Sequence, residues 1–329
     1  MKINDAKLIS TIKTVFLYSV RFILPYLPLK IIYFIGNFLG GVMLGQKAQV
    51  IKDDLKALIG NVSEFELDTI LRNTMQNFRK DLLEIWTFPK LNQNRINRMS
   101  YFEGTEHLDN ALEKGKGAIL CITHFGSWKI ILPALGYNGY TVNQVAANPL
   151  TFGKNTEVSF HNKIMKMELE SESSLPAKFI YLNEGKSVRQ IYRVLENNEI
   201  LVMSLDGIIV GKRLTVPFLH GSISLLTGGP YLSLSTDAPL LPVFIVRQKD
   251  NRHKITIHGP FANINNGSDK EKFINDWMTN YVALFEQYVR NYPEHYARYL
   301  YTIRKYPLPD IGYVLKIKNI DAEKELAHL

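Results

Sequence analysis

The sequence predicts an α/β fold, a mostly parallel central sheet flanked by helices, with an N-terminal membrane-associating helical arm. Three observations carry that expectation. From Gly117 onward, short β-rich apolar runs alternate with helical stretches, as in sheets covered on both faces. Residues 47–86 place apolar side chains at three-and-four spacing, the helical period. Residues 8–45 are apolar but interrupted by Lys13, Arg21, Pro25, Pro28, Lys30 and Asn37. The chain has 329 residues, 46% hydrophobic, enough for a large core, which excludes disorder and a disulfide-built miniature.

The N-terminal stretch reads as two helices, near 8–24 and 29–45. Its longest uncharged run falls short of the roughly 20 residues a membrane span needs, and no small-residue cleavage site follows. The helices are expected to lie in a membrane interface, with Tyr18, Tyr26 and Tyr33 at headgroup level and Lys/Arg stems snorkelling. The competing arrangement packs them on the protein's own core. The expected division is therefore 1–46, the arm, and 47–329, the α/β domain. Net charge is +8, and the first 60 residues hold 8 Lys/Arg against 3 Asp/Glu. Because this basic excess is interleaved with long apolar runs, and no zinc-finger spacing or RNP-like motif is present, it suits an anionic membrane and excludes nucleic acid.

Ser63 and Glu66 have capping-box spacing at the start of a helix reaching Trp86. RMSYFEGTEHLDNALEKGKG reads as a short strand and a helix closed by Gly115 or Gly117. The strands are expected in GAILCIT, VNQVAA, KFIYL, EILVMSL, LLPVFIVR and HKITIHG, with a helix at 187–197. In such sheets ligands gather at the carboxyl ends of the strands. Two polar clusters fall there, 123–129 after the first strand and Asp206-Gly207 after EILVMSL.

His124, released from a buried strand into a Gly-containing turn, is suited to general-base work on an alcohol or amine; the plainer alternative is a satisfied structural histidine. The other seven histidines are scattered, and none forms a tight metal pair, so no metal or cofactor is expected. Cys121, the one cysteine, sits in an apolar run and reads as a buried thiol. An α/β-hydrolase is excluded by the lack of a GxSxG elbow.

The strand ending in His-Phe-Gly-Ser-Trp after GKGAIL resembles the first motif of the lysophospholipid acyltransferase superfamily, specifically its bacterial lipid A biosynthesis (lauroyl/myristoyl) branch. LEIWTFPKL, EGTEHLDNALEKGKGAIL, VPFLHGS and TGGPYLSLSTDAPLLPVFIVR follow in family order. PEHYARYLYTIRK is similar to the family's C-terminal Pro-Glu-x-Trp-x-Trp segment, with Tyr296 and Arg298 at the tryptophan positions. The resemblance implies a membrane-associated acyltransferase at the cytoplasmic face of the inner membrane, peripheral or monotopic. Its donor would be acyl carrier protein or acyl-coenzyme A, and its acceptor a hydroxyl or amine of a lipid or related amphipath.

One departure qualifies the carry-over: the family's motif is His, four residues, then Asp or Glu, and here the fifth residue is Lys129. A protonated lysine cannot accept the imidazole N–H. At about 4 Å a like charge would cost about 4 kcal/mol at an effective dielectric near 20, roughly a thousandfold in rate. Three arrangements meet this. Asp206, at the end of another predicted strand facing the same edge, replaces the carboxylate. Alternatively Lys129 swings away or deprotonates in an apolar cleft. In the third, catalysis is lost and the scaffold binds lipid or acyl carrier protein.

Around this centre, Gly126 and Ser127 either bring a backbone N–H to the thioester carbonyl or simply form a tight turn. Trp128 is expected as a cleft wall. Lys212 and Arg213 would meet an anionic headgroup or donor phosphate, with solvated charge as the alternative. The resemblance implies that Val216, Pro217 and Phe218 line the acyl chain, with ordinary core packing as their alternative. Thr227-Gly228-Gly229-Pro230 is expected at a helix start.

Overall fold

The computed structural model describes residues 15, 17–41, 45–147, 160–182, 186–209, 211–261, 269–305 and 314–317. Residues 8–14 and 16 of the expected 8–24 helix lie outside them; residues 17–23 are helical and end in a 3-10 turn at Leu24–Tyr26, where Pro25 suits the first turn. Helix α1 (Leu29–Gly40) follows Pro28, then α2 (Gly45–Ile59) and α3 (Glu64–Ile85). Ser63 and Glu66 form the expected reciprocal capping box on α3, a feature that contributes about 1 kcal/mol.

Helix α1 lies along α3. At Gly40 the backbones approach so closely that a Cβ would sit 2.5 Å from the Gln76 Cα. Ile32, Tyr33, Gly36 and Gly40 are buried, whereas Ile31, Phe34, Phe38 and Leu39 are exposed. Packing on the protein's own core is thus realised by one face of α1 only. Among the described residues no helix is long and apolar enough to cross a membrane.

The α/β part runs α4 (Gln93–Met99), β1 (Ser100–Glu103), α5 (Thr105–Leu112), β2 (Ala118–Ile122), α6 (Ile131–Tyr137), β3 (Val142–Ala146), α7 (Phe160–Glu172), β4 (Lys178–Tyr181), α8 (Ser187–Glu196) and β5 (Ile200–Ser204). It continues with β6 (Arg213–Phe218), β7 (Gly221–Leu226), α9 (Gly228–Thr236), β8 (Leu240–Arg247), β9 (His253–Ile257), α10 (Lys270–Asn291), α11 (Ala297–Lys305) and β10 (Leu315–Ile317). The main sheet has the order β1-β9-β8-β2-β5-β3-β4, and every pairing is parallel except β8 with β9. All seven sequence-predicted strands, the short one at Ser100–Glu103 included, lie in it.

Strand β2 shows why the run AILCI is apolar throughout. Ile119 and Cys121 enter the core on one side of the sheet, and Ala118, Leu120 and Ile122 enter the core on the other. Period-two alternation between two cores needs apolar residues at every position. Its partner β5 pairs in a register that sets Ile122 beside Ser204, so 123–124 and 205–206 leave the sheet side by side.

A second sheet, β10-β7-β6, is antiparallel. The β6–β7 hairpin escapes sequence reasoning because Pro217 argues against a strand; β6 is an edge, where a missing N–H is tolerated.

Candidate active site

The carboxyl ends of β2 and β5 bring His124 and Asp206 into direct contact. Nδ1 of His124 lies 2.8 Å from Oδ1 of Asp206, and the His124 backbone N–H donates to both carboxylate oxygens at 3.1 and 2.9 Å. Asp206 is fully buried, while the His124 side chain is 23% exposed. A carboxylate cannot donate, so Nδ1 carries the proton and the Nε2 lone pair points away from Asp206. The imidazole is held on two more sides. Tyr299 stacks on it, with centroids 4.3 Å apart and planes 4° from parallel, and Trp128 meets it edge-on at 4.9 Å. The Tyr299 hydroxyl donates to the Asp206 carbonyl at 2.8 Å; burial, then the Asp206 charge, raises its pKa far above the ordinary phenol range, so it stays a donor.

Lys129 is turned into a different set of contacts. Its ammonium lies 3.0 Å from Glu168 and 2.5 Å from Glu172, both on α7, and 5.4 Å from the Trp128 ring centre. Burial pulls its pKa down, but Glu172 and Glu168 outweigh this and the net shift is upward. The deprotonated lysine considered from the sequence is thereby corrected: two carboxylates hold the ammonium charged.

Gly126 has φ of +63°, and a Cβ there would sit 1.8 Å from the Ile245 carbonyl oxygen, so the turn requires glycine. Its own N–H donates to the His295 carbonyl at 2.9 Å and so is not available to a thioester oxygen. Ser127 is buried, its hydroxyl donating to Asp81 at 2.5 Å.

The second polar group from the sequence is divided. Lys212 is exposed. Arg213 folds back to donate to the carbonyls of Ser224, Gly207 and Ile209, pinning the turn after Asp206 instead of reaching toward an anion. Val216 and Phe218 are core residues, Phe218 stacking on Phe285 at 5.0 Å, and only Pro217 of the three is exposed. Alternation along β6 explains this, since its even positions face inward. Gly228 does begin a helix, α9.

Sequence reasoning misses a closed polar cluster behind the turn. Arg247 donates to Asp81 at 2.5 Å and to Glu84 at 2.7 and 2.8 Å, and His253 Nε2 lies 3.1 Å from Glu84. Burial would raise the Glu84 pKa, but Arg247 and His253 hold it far below the carboxylate range. His295 Nε2 accepts from the Arg247 backbone N–H at 2.9 Å; burial, with the Arg247 charge, pushes its pKa down to about 3. The one available signal was charge inside apolar runs, as at Glu84 and Arg247. Cys121 is fully buried and its thiol pKa is pushed up by burial, which leaves it inert as a nucleophile. Among the described residues no group of three His, Cys, Asp or Glu has metal-holding geometry.

No curated protein matches the chain. Among solved structures, it resembles the 1-acyl-sn-glycerophosphate (LPA) acyltransferase PlsC of Thermotoga maritima at 12% identity, over 74% of this chain and 97% of that one, with a TM-score of 0.34. Residues 3–300 match the family described as bacterial lipid A biosynthesis acyltransferase. The ordered matches, the strand-end histidine and this match over most of the chain lead to one assignment: the chain belongs to the bacterial lipid A biosynthesis acyltransferase family, and is a lipid acyltransferase.

Proposed function

We propose that the protein is a membrane-associated enzyme that moves a fatty acyl group from the thioester of acyl carrier protein or acyl-coenzyme A to a hydroxyl or amine of a lipid, with His124 as general base and Asp206 as its carboxylate partner. The observation that carries this reading is the 2.8 Å contact between His124 Nδ1 and a fully buried Asp206 at the carboxyl edge of a parallel sheet. Nε2 takes the acceptor proton as its oxygen or nitrogen bonds to the thioester carbonyl carbon. Asp206 stabilises the imidazolium so formed. The tetrahedral adduct then collapses, the C–S bond breaks, and the thiolate leaves with the proton from Nε2.

Asp206 supplies what Lys129 cannot. Because it grips the backbone N–H as well as the ring, the imidazole is fixed in tautomer and orientation. Lys129 is paired with two carboxylates, so the like-charge penalty expected at the motif position is offset.

The membrane part of the reading rests on exposed apolar surface. Of thirteen exposed large apolar side chains among the described residues, nine lie between Val15 and Leu39, including Phe22, Phe34 and Phe38. Such clustering marks an interaction surface, and the exposed Lys30 beside it favours anionic lipid at the cytoplasmic face of the inner membrane. The test is transfer from labelled acyl-carrier and acyl-coenzyme A donors into a lipid extract. Product that disappears with His124→Ala supports the reading; full turnover in that variant overturns it. For the membrane, Phe34→Ser with Phe38→Ser is expected to release the protein from phosphatidylglycerol vesicles, and unchanged sedimentation contradicts that surface.

A further inference from the structure

Glu168 and Glu172 are four residues apart on α7 and therefore share one face of that helix. Between them they hold the Lys129 ammonium, at 3.0 and 2.5 Å. The three side chains are 24%, 25% and 13% exposed, so the pairs are sheltered enough to matter more than a surface ion pair. The same ammonium sits over Trp128, whose edge contacts the His124 ring. A third carboxylate of α7, Glu170, binds Arg21 of the N-terminal arm at 2.5 Å. An unbroken series of contacts thus runs from the arm through α7 and Lys129 to the histidine.

We propose that Lys129 is a positioning residue: it straps α7 to the turn 123–129 and holds Trp128 edge-on against His124. The motif position has exchanged its partner, from the histidine to the carboxylates of a neighbouring helix. Restoring the family's acid at this position would then be harmful. A glutamate there would set three carboxylates together and drive α7 from the turn, since like charges at this spacing repel. The protonated state of Lys129 is secured by Glu172 and Glu168 against the opposing effect of burial. The proposal rests on His124 being the base only in its consequence for rate, because the strap itself is a matter of structure.

The test uses the full chain and four changes: Lys129→Met, Lys129→Arg, Lys129→Glu, and the reversal Lys129→Glu/Glu168→Lys/Glu172→Lys. Amide hydrogen exchange in residues 160–172, measured without substrate, is expected to quicken about tenfold in Lys129→Met and further in Lys129→Glu. It should return to within about threefold of the parent in Lys129→Arg and in the reversal. In acyl transfer, kcat/KM should fall about tenfold in Lys129→Met and about a hundredfold in Lys129→Glu, with recovery in the same two variants. Unchanged exchange in Lys129→Met, or activity in Lys129→Glu above the parent's, overturns the strap. The base reading is separated by His124→Ala, which should abolish turnover while leaving exchange in α7 unaltered. If that variant keeps its turnover while exchange responds to Lys129, the base reading fails and the strap stands.

Discussion

Two polar clusters flank the turn 123–129, and each centres on a carboxylate withdrawn from water. Asp206 is 0% exposed and the Glu84 side chain 1%. Around Glu84 the partners are sealed too, with Arg247 and His253 side chains at 2% and 0% exposure. Around Asp206 the imidazole partner stays 23% open. Glu84 therefore spends its charge on groups that cannot meet a substrate, and its cluster ties α3 to β8 and β9. Asp206 instead bonds an imidazole that is partly open to solvent, the group proposed above as the base. In the proposed mechanism, access at the far end of the hydrogen bond is what separates the site from a structural ion cluster, since both pair a buried carboxylate with a histidine.

The sharpest way to test that contrast is Asp206→Asn. The amide still accepts one N–H but stabilises no imidazolium, so kcat/KM is expected to fall by about a thousandfold, roughly 4 kcal/mol of transition-state stabilisation, measured by acyl transfer. Unfolding should shift much less. Arg247→Met should invert the pattern. It leaves Glu84 and Asp81 without their cation, at a cost of about 3 to 5 kcal/mol read from the urea midpoint. Equal effects of both changes on rate and on stability would erase the distinction between the clusters.

The open cluster was legible in the sequence and the closed one was not, for physical reasons. A histidine and an aspartate each placed just past a continuous apolar run must emerge at the same sheet edge if the strands are parallel neighbours, so GAILCITH and EILVMSLD announce the pair. Asp81, Glu84, Arg247 and His253 come from a helix and two strands, and nothing local shows that they face one another. Lys129 is similar, since its partners lie on α7, some forty residues away. Arg213 misleads for the opposite reason: beside Lys212 it reads as an exposed basic pair, yet three carbonyls draw it inward. Tyr299 sits in a segment recognisable by resemblance, while its stacking on His124 depends on tertiary placement.

The pH dependence of stability sharpens the comparison further. His295 is buried against the closed cluster with its pKa pushed down to about 3. Between that value and the ordinary histidine range near 6.5, the unfolded chain binds a proton that the folded protein does not, so stability falls as pH drops through this window. At pH 5 the loss is about 2 kcal/mol relative to neutral pH. Glu84 acts lower still: its depressed pKa contributes stability above the ordinary carboxylate range, lost only as pH falls toward its folded value. His295→Gln retains an acceptor for the Arg247 N–H, and its urea midpoint should be flatter between pH 7 and 5 than the parent's. Parallel curves would place the acid sensitivity elsewhere.

The smallest effect belongs to Tyr299→Phe. The ring keeps its stack on His124 while the hydroxyl bond to the Asp206 carbonyl is removed, and that carbonyl loses a partner on the open side of the comparison. A neutral hydrogen bond of this kind contributes about 1 kcal/mol, so kcat/KM should drop about fivefold if the bond holds Asp206 in register with the imidazole. If it merely stabilises the fold, the urea midpoint moves and the rate at saturating substrate does not. Tyr299→Leu, which removes the stack as well, separates the two contributions: a larger fall in rate than in Tyr299→Phe assigns the excess to the ring that holds the imidazole in place.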